Sequence, residues 1–86
     1  MTPDYHKTFK KDLARLPASI HRQLAERLLL FERDAFHPLL RNHSLKGRYA
    51  GLRSINITGD YRAIYQPTRT NIALFLYIDT HSNLYG

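Results

Sequence analysis

The chain has 86 residues, 43% of them hydrophobic and 23% charged, and no cysteine. That length holds one core, the composition is that of a folded globular protein, and the missing thiols exclude disulfides and thiolate metal sites. Thirteen Lys and Arg against seven Asp and Glu leave a formal charge of +6, which favours an anionic partner such as nucleic acid or an acidic protein.

Thr2-Pro3-Asp4 reads as a helix start, with a hydroxyl N-cap, proline in the first turn and an acid near the positive end of the helix dipole. Tyr5, Phe9, Leu13 and Leu16 follow on one helical face, and Lys7, Lys10, Lys11 and Arg15 fall largely off it. Pro17 breaks that pattern. The repeat of Ile20, Leu24, Leu28, Phe31 and Ala35 predicts a second, more buried helix from Pro17 or Ala18 to Ala35, ended by His37-Pro38. The short link between the two makes them an antiparallel hairpin.

After Asn42 the period changes from helical to alternating. Leu52 to Thr58 places Arg53, Ile55 and Ile57 on one side and Ser54, Asn56 and Thr58 on the other. Thr58-Gly59-Asp60 is a tight-turn signal, Tyr61 to Gln66 a second strand, Pro67 to Asn71 another turn, and Ile72 to Ile78 a third strand. In that last strand Ile72, Leu74, Leu76 and Ile78 are expected on one face, with Ala73, Phe75 and Tyr77 on the other. His43 to Gly47 supplies a short edge strand. The short turns make neighbouring strands antiparallel.

The expected fold is α+β. One domain, residues 1–86, packs an N-terminal antiparallel helical hairpin on one face of a three- to four-stranded antiparallel sheet. The other face stays partly open, and the basic half of the chain lines it. Between Arg41 and Arg62 the bases are Arg41, Lys46, Arg48, Arg53 and Arg62, and Asp60 is the only acid. Nine of the thirteen basic residues are arginine, the side chain suited to bidentate phosphate contacts. No apolar run approaches the roughly 20 residues of a bilayer span, and no signal-peptide pattern opens the chain, so a cytoplasmic protein without membrane contact is expected.

None of the five histidines stands in an i, i+4 ligand pair, and HExxH, a Gly-rich phosphate loop and a nucleophile elbow are all missing. Neither metal nor cofactor is expected. His6 and His21 sit on predicted helices and His37 beside a helix-ending proline, where surface or capping roles suffice. His43 and His81 differ, because one comes just before the sheet and one just after its last strand. Strand ends on an open face can bring such residues together, along with Asp60 in the hairpin, Arg53 and Arg62 on adjacent strands, and Tyr85 in the tail.

The order of HSLKG, GLRSI, GDYRAIY and the closing HSNLYG after a helical first half resembles the RelE/ParE superfamily of bacterial toxins. The HSLKG and HSNLYG elements look most like the YafQ-type mRNA interferase branch, and the resemblance covers essentially the whole chain. It implies an antiparallel sheet with two helices against it, cleavage of mRNA in the ribosomal A site, and a cognate antitoxin that wraps the toxin and masks its basic surface in a hetero-oligomer. Carried over by position, His43, Asp60, His81 and Tyr85 match functional positions of the YafQ pattern, and Arg62 matches the arginine of the RelE-type DYRxIY element. Arg53 matches a basic position on the preceding strand. The sequence departs from the pattern at Ser54 and Asn56, where YafQ-type enzymes carry an acid and a second histidine. It also departs at the N-terminus, where many relatives open with a strand.

Metal-free RNA cleavage needs a base for the 2′-hydroxyl, an acid for the leaving 5′-oxygen and cations for the phosphorane. His81 suits the acid, and Asp60 or His43 the base. Arg53 and Arg62, with Lys46 and Arg48 nearby, would hold the RNA phosphates, and Tyr85 would stack on an unpaired base. Two other readings share the fold: a ParE-type toxin that poisons gyrase, against which His81 and Tyr85 count, and a catalytically inactive antitoxin-binding module.

Overall fold

In the computed structural model, which describes residues 1–86, the chain opens on a strand. β1 covers Thr2–Tyr5 and runs parallel to the last strand, with Thr2 opposite Ile72 and Tyr5 opposite Phe75. The helix-start reading of Thr2-Pro3-Asp4 is therefore corrected. Pro3 suits an edge strand as well as a first helical turn, because neither needs its missing N–H. The ladder is flanked by bonds from Thr2 N–H to Asn71 O at 3.0 Å and from His6 N–H to Phe75 O at 2.9 Å. The outward N–H of Tyr5 is taken by Asp4 Oδ1 at 2.9 Å. The sheet edge is thus covered by a short strand whose own free side offers few donors.

Helix α1, Lys7–Ala14, is capped by His6, whose Nδ1 accepts the Thr8 N–H at 3.2 Å. Helix α2 spans Ala18–Arg33 and buries Ile20, Leu24 and Phe31. His21 Nε2 donates to the Leu13 carbonyl at 2.8 Å, satisfying an end group of α1 and tying the two helices together. The helical hairpin exists, but it follows a strand, and α2 stops two residues before the expected Ala35.

β2 is His43–Ser44, β3 Arg53–Asn56, β4 Tyr61–Pro67 and β5 Ile72–Thr80, and a short helix α3, His81–Tyr85, ends the chain. The sheet has five strands in the order β1-β5-β4-β3-β2, antiparallel except at β1–β5. The expected three or four strands rise to five because β1 joins, and the sheet is mixed because it joins parallel.

The helices cover one face. Phe31 meets Tyr65 edge-on at 5.2 Å and Phe75 at 5.5 Å, and Phe9, Tyr5 and Phe75 cluster beside them. Between β4 and β5, Tyr65 pairs with Phe75 and Ile64 with Tyr77, so Leu76 of β5 is an extra, bulged residue. The bulge swaps the alternation. Ala73, Phe75 and Ile78 are the fully buried residues, in place of the expected Ile72–Leu74–Leu76–Ile78 face. Tyr77 and Asp79 turn to the opposite face of the sheet.

That opposite face has a small core of its own. Ile64 and Leu84 are buried there, outside the main cluster, and Tyr49 lies 5.9 Å from Tyr77 and 5.8 Å from Tyr85. The face is covered at one end by α3 and by the turn Gly47–Tyr49 and open at the other. No helix is long and apolar enough to cross a membrane.

Candidate active site

His43 is set up by the segment before it. His37 Nδ1 accepts the Leu39 N–H at 3.1 Å and caps the single turn Pro38–Leu40. The turn ends at Arg41, which adopts a left-handed conformation at φ 46°. The Arg41 carbonyl then accepts from His43 Nδ1 at 2.8 Å. A carbonyl only accepts, so Nδ1 carries the proton and Nε2 of the neutral ring keeps its lone pair.

His81 is held from both ends of α3. Its N–H donates to the Asp60 carbonyl at 2.8 Å, and Thr80 Oγ1 caps the helix through the Asn83 N–H at 3.2 Å. At the other end the Leu84 carbonyl accepts from Arg48 Nη2 at 2.6 Å and from the Tyr49 hydroxyl at 2.9 Å. Leu84 itself is 6% exposed. One turn after His81 comes Tyr85, its ring 4.8 Å away.

Between these segments runs the cross-strand row Asn56–Arg62–Asp79. Arg62 Nη1 donates to the carbonyls of Thr58 at 3.0 Å and Tyr61 at 3.1 Å, and Nη2 to that of Gly59 at 3.3 Å. The β3–β4 hairpin thus anchors the guanidinium. Asp79 turns instead to α3, accepting from the Thr80 N–H at 2.8 Å and from Asn83 Nδ2 at 3.0 Å.

Together these elements enclose an open hollow of about 650 Å³ lined by Arg41, Asn42, His43, Leu45, Asn56, Arg62, His81 and Tyr85. Two arginines, two histidines and a tyrosine are among the lining residues, and no Asp or Glu is. Nowhere in the structure do three His, Asp or Glu side chains approach closely enough to hold a metal ion.

Of the residues singled out from the sequence, His43, Arg62, His81 and Tyr85 come together here. Four others do not line the hollow. Asp60 lies exposed in the hairpin and reaches the site through its backbone carbonyl, which holds His81. Arg48 clamps Leu84 and lies 4.9 Å over the ring of Tyr49. Lys46 is exposed at the start of the turn Gly47–Tyr49. Arg53 sits on the helix-facing side, bonded to Asn42 and stacked over Phe36. The alternation that sends Ile55 and Ile57 into the core carries Arg53 to their side. Arg41 takes its place as the second cation of the hollow. The signal for Arg41 was its position two residues before His43 in the basic run, but which way it faces depends on a left-handed turn that the local sequence does not announce.

Solved structures with this fold include YafQ from Escherichia coli, at 22% identity and a TM-score of 0.78 over 98% of this chain and 97% of that one. An E. coli DinJ–YafQ toxin–antitoxin complex matches at 22% identity and 0.69, over 98% and 96%. The toxin–antitoxin complex RelBE2 from Mycobacterium tuberculosis matches at 26% and 0.75, over 93% and 96%. The comparison with curated proteins finds no match. The family model for YafQ, a bacterial toxin of type II toxin–antitoxin systems, matches residues 1–86. With a match over its full length, this chain belongs to the YafQ family of type II toxins.

Proposed function

We propose that this toxin is a metal-free endoribonuclease that cuts mRNA on the 70S ribosome and so inhibits translation, and that a cognate antitoxin restrains it. The observation that carries this reading is the pairing of His43 and His81 in one hollow with Arg41 and Arg62.

In the mechanism, the RNA 2′-hydroxyl attacks the adjacent phosphorus. His43 Nε2, free because Nδ1 is bonded to the Arg41 carbonyl, takes the hydroxyl proton as the new O–P bond forms. His81, protonated, gives a proton to the 5′-oxygen as its bond to phosphorus breaks. The products are a 2′,3′-cyclic phosphate and a free 5′-hydroxyl. Each proton transfer contributes typically about 10²–10⁴-fold. Arg62, anchored by the hairpin carbonyls, and Arg41 offset the phosphorane charge, and Tyr85 stacks on a neighbouring base. The base role goes to His43 and not to Asp60, whose carboxylate lies outside the hollow.

The basic surface also suits an acidic antitoxin that wraps it, and the similar folds of YafQ and RelBE2 are seen in toxin–antitoxin complexes. Because its substrate is mRNA on the translating ribosome, the toxin acts in the cytoplasm. Ser54 and Asn56, which carry no ionisable group, favour a slower enzyme, and in the limit the inactive binding module.

The test is to map mRNA 5′ ends after expression of wild type and of His81→Ala, with and without translation. Wild type should produce cuts in frame with codons on translated messages only, and His81→Ala none while remaining folded. Cleavage undiminished in the variant removes His81 from the mechanism. Intact mRNA with DNA-damage signalling would reassign the protein to the gyrase-poisoning class.

A further inference from the structure

The sequence suggests a phosphate contact for Arg53 as for Arg62, yet the Arg53 guanidinium is bonded to the wall of the hollow from behind. Nε donates to Asn42 Oδ1 at 2.8 Å, and Nη2 lies 3.5 Å from the Asn42 carbonyl. Asn42 also uses its amide nitrogen twice, donating to the Ala35 carbonyl at 2.9 Å and to the Tyr65 hydroxyl at 2.7 Å. Tyr65 is fully buried in the main core. The Arg53 guanidinium also lies 5.2 Å over the ring of Phe36, a large apolar residue left 62% exposed. Asn42 is thereby tied at once to the segment that follows α2, to the core through β4, and to β3.

Its two neighbours carry the chemistry. Arg41 holds a left-handed backbone that costs a residue with a side chain roughly 1–2 kcal/mol, so the surroundings must hold it there. That conformation brings the Arg41 carbonyl to His43 Nδ1. We propose that Arg53 and Asn42 are positioning residues: their pair locks the Arg41–His43 reversal so that His43 presents an unprotonated Nε2, and Arg41 its guanidinium, to the hollow. The catalytic consequence rests on the nuclease reading above, but the conformational one does not.

Two kinds of measurement separate this role from a phosphate contact. In Arg53→Ala, cleavage of translated mRNA should fall by up to about 100-fold, as a misplacement of order 1 Å produces, while the salt dependence of binding to a short single-stranded RNA stays that of wild type. A lost phosphate contact would instead reduce the logarithmic salt slope by about 0.7. Arg53→Lys should not restore activity, because an ammonium keeps the charge but loses the planar bond and the stacking. Imidazole ¹⁵N NMR then reads His43 directly. The Nδ1-protonated tautomer should dominate in wild type and lose population in Arg53→Ala and in Phe36→Ala, the latter a change at an exposed position that leaves the core intact. An unchanged tautomer balance in the variants, a shallower salt slope in Arg53→Ala, or full rescue by lysine would each overturn the proposal. Should wild type fail to cleave translated mRNA, the nuclease reading falls, and the tautomer balance still decides whether Arg53 positions His43.

Discussion

Leu84→Ala should detach the C-terminal helix without unfolding the sheet. α3 is five residues long, far too short to hold its shape alone. Ordering five residues costs roughly 5–10 kcal/mol at about 1–2 each. Against this stand the burial of Leu84, about 2–3 kcal/mol, and five hydrogen bonds of about 1 kcal/mol net each: His81 N–H to Asp60, Arg48 and Tyr49 to the Leu84 carbonyl, and both nitrogens of Asn83. The balance is close to even, so docking has little reserve. Truncating a buried leucine to alanine costs about 2–5 kcal/mol, and 2.7 kcal/mol is already about a hundredfold in the docked population. Native-state amide exchange reads this directly. The amides of His81 and Gly86, which donate to the carbonyls of Asp60 and Ser82, should lose their protection, while those within β4 and β5 keep theirs. Cleavage should fall in parallel, since His81 and Tyr85 are carried on that helix, although Leu84 itself does not line the hollow. If the tail amides exchange freely and cleavage persists at the wild-type rate, α3 does not deliver the acid, and the reasoning fails.

Arg41→Ala and Arg62→Ala should each lower the logarithmic salt slope of single-strand RNA binding by about 0.7; titrations that give wild-type slopes would remove both from the phosphate path. Ser54 is the buried residue whose hydroxyl finds no partner in the protein, so Ser54→Ala should leave stability unchanged or raise it by up to about 1 kcal/mol in urea unfolding. A loss of that size would show that the hydroxyl is satisfied. Tyr5 has its phenol pushed above 10.0 by burial, and further by Glu32 and Asp4. The folded state therefore favours the neutral ring: this contribution is whole below the unfolded value near pH 10 and is lost as pH rises through the higher folded value. Tyr5→Phe should flatten the alkaline fall in stability over that window, and an identical fall in both proteins would assign it to other groups.

Several features of this protein are legible in the residues alone. The alternation of Arg53 to Thr58, the Thr58-Gly59-Asp60 turn and the helical stripe of Ile20, Leu24 and Phe31 are local patterns, and local sterics and solvation produce them wherever the segment ends up. The concentration of arginine between residues 41 and 62, and the histidines either side of the sheet, likewise point to the basic half, which supplies the lining of the hollow. Those signals, with the place of Tyr85 in the tail and the family resemblance, single out His43, Arg62, His81 and Tyr85, which the fold brings to one hollow.

What the tertiary structure decided is which way things face. Thr2–Tyr5 became a strand because β5 offered it a ladder, and Pro3 and Asp4 serve a sheet edge as readily as a helix start. The bulge at Leu76 moved Tyr77 and Asp79 across the sheet against the alternation of their own strand. Arg41 turned into the hollow, and Arg53 away from it, because a left-handed turn and a pleat set their directions. A side chain's identity is written in the sequence, but its direction depends on which distant strand supplies the hydrogen bonds, and a shift of one residue in that pairing reverses it.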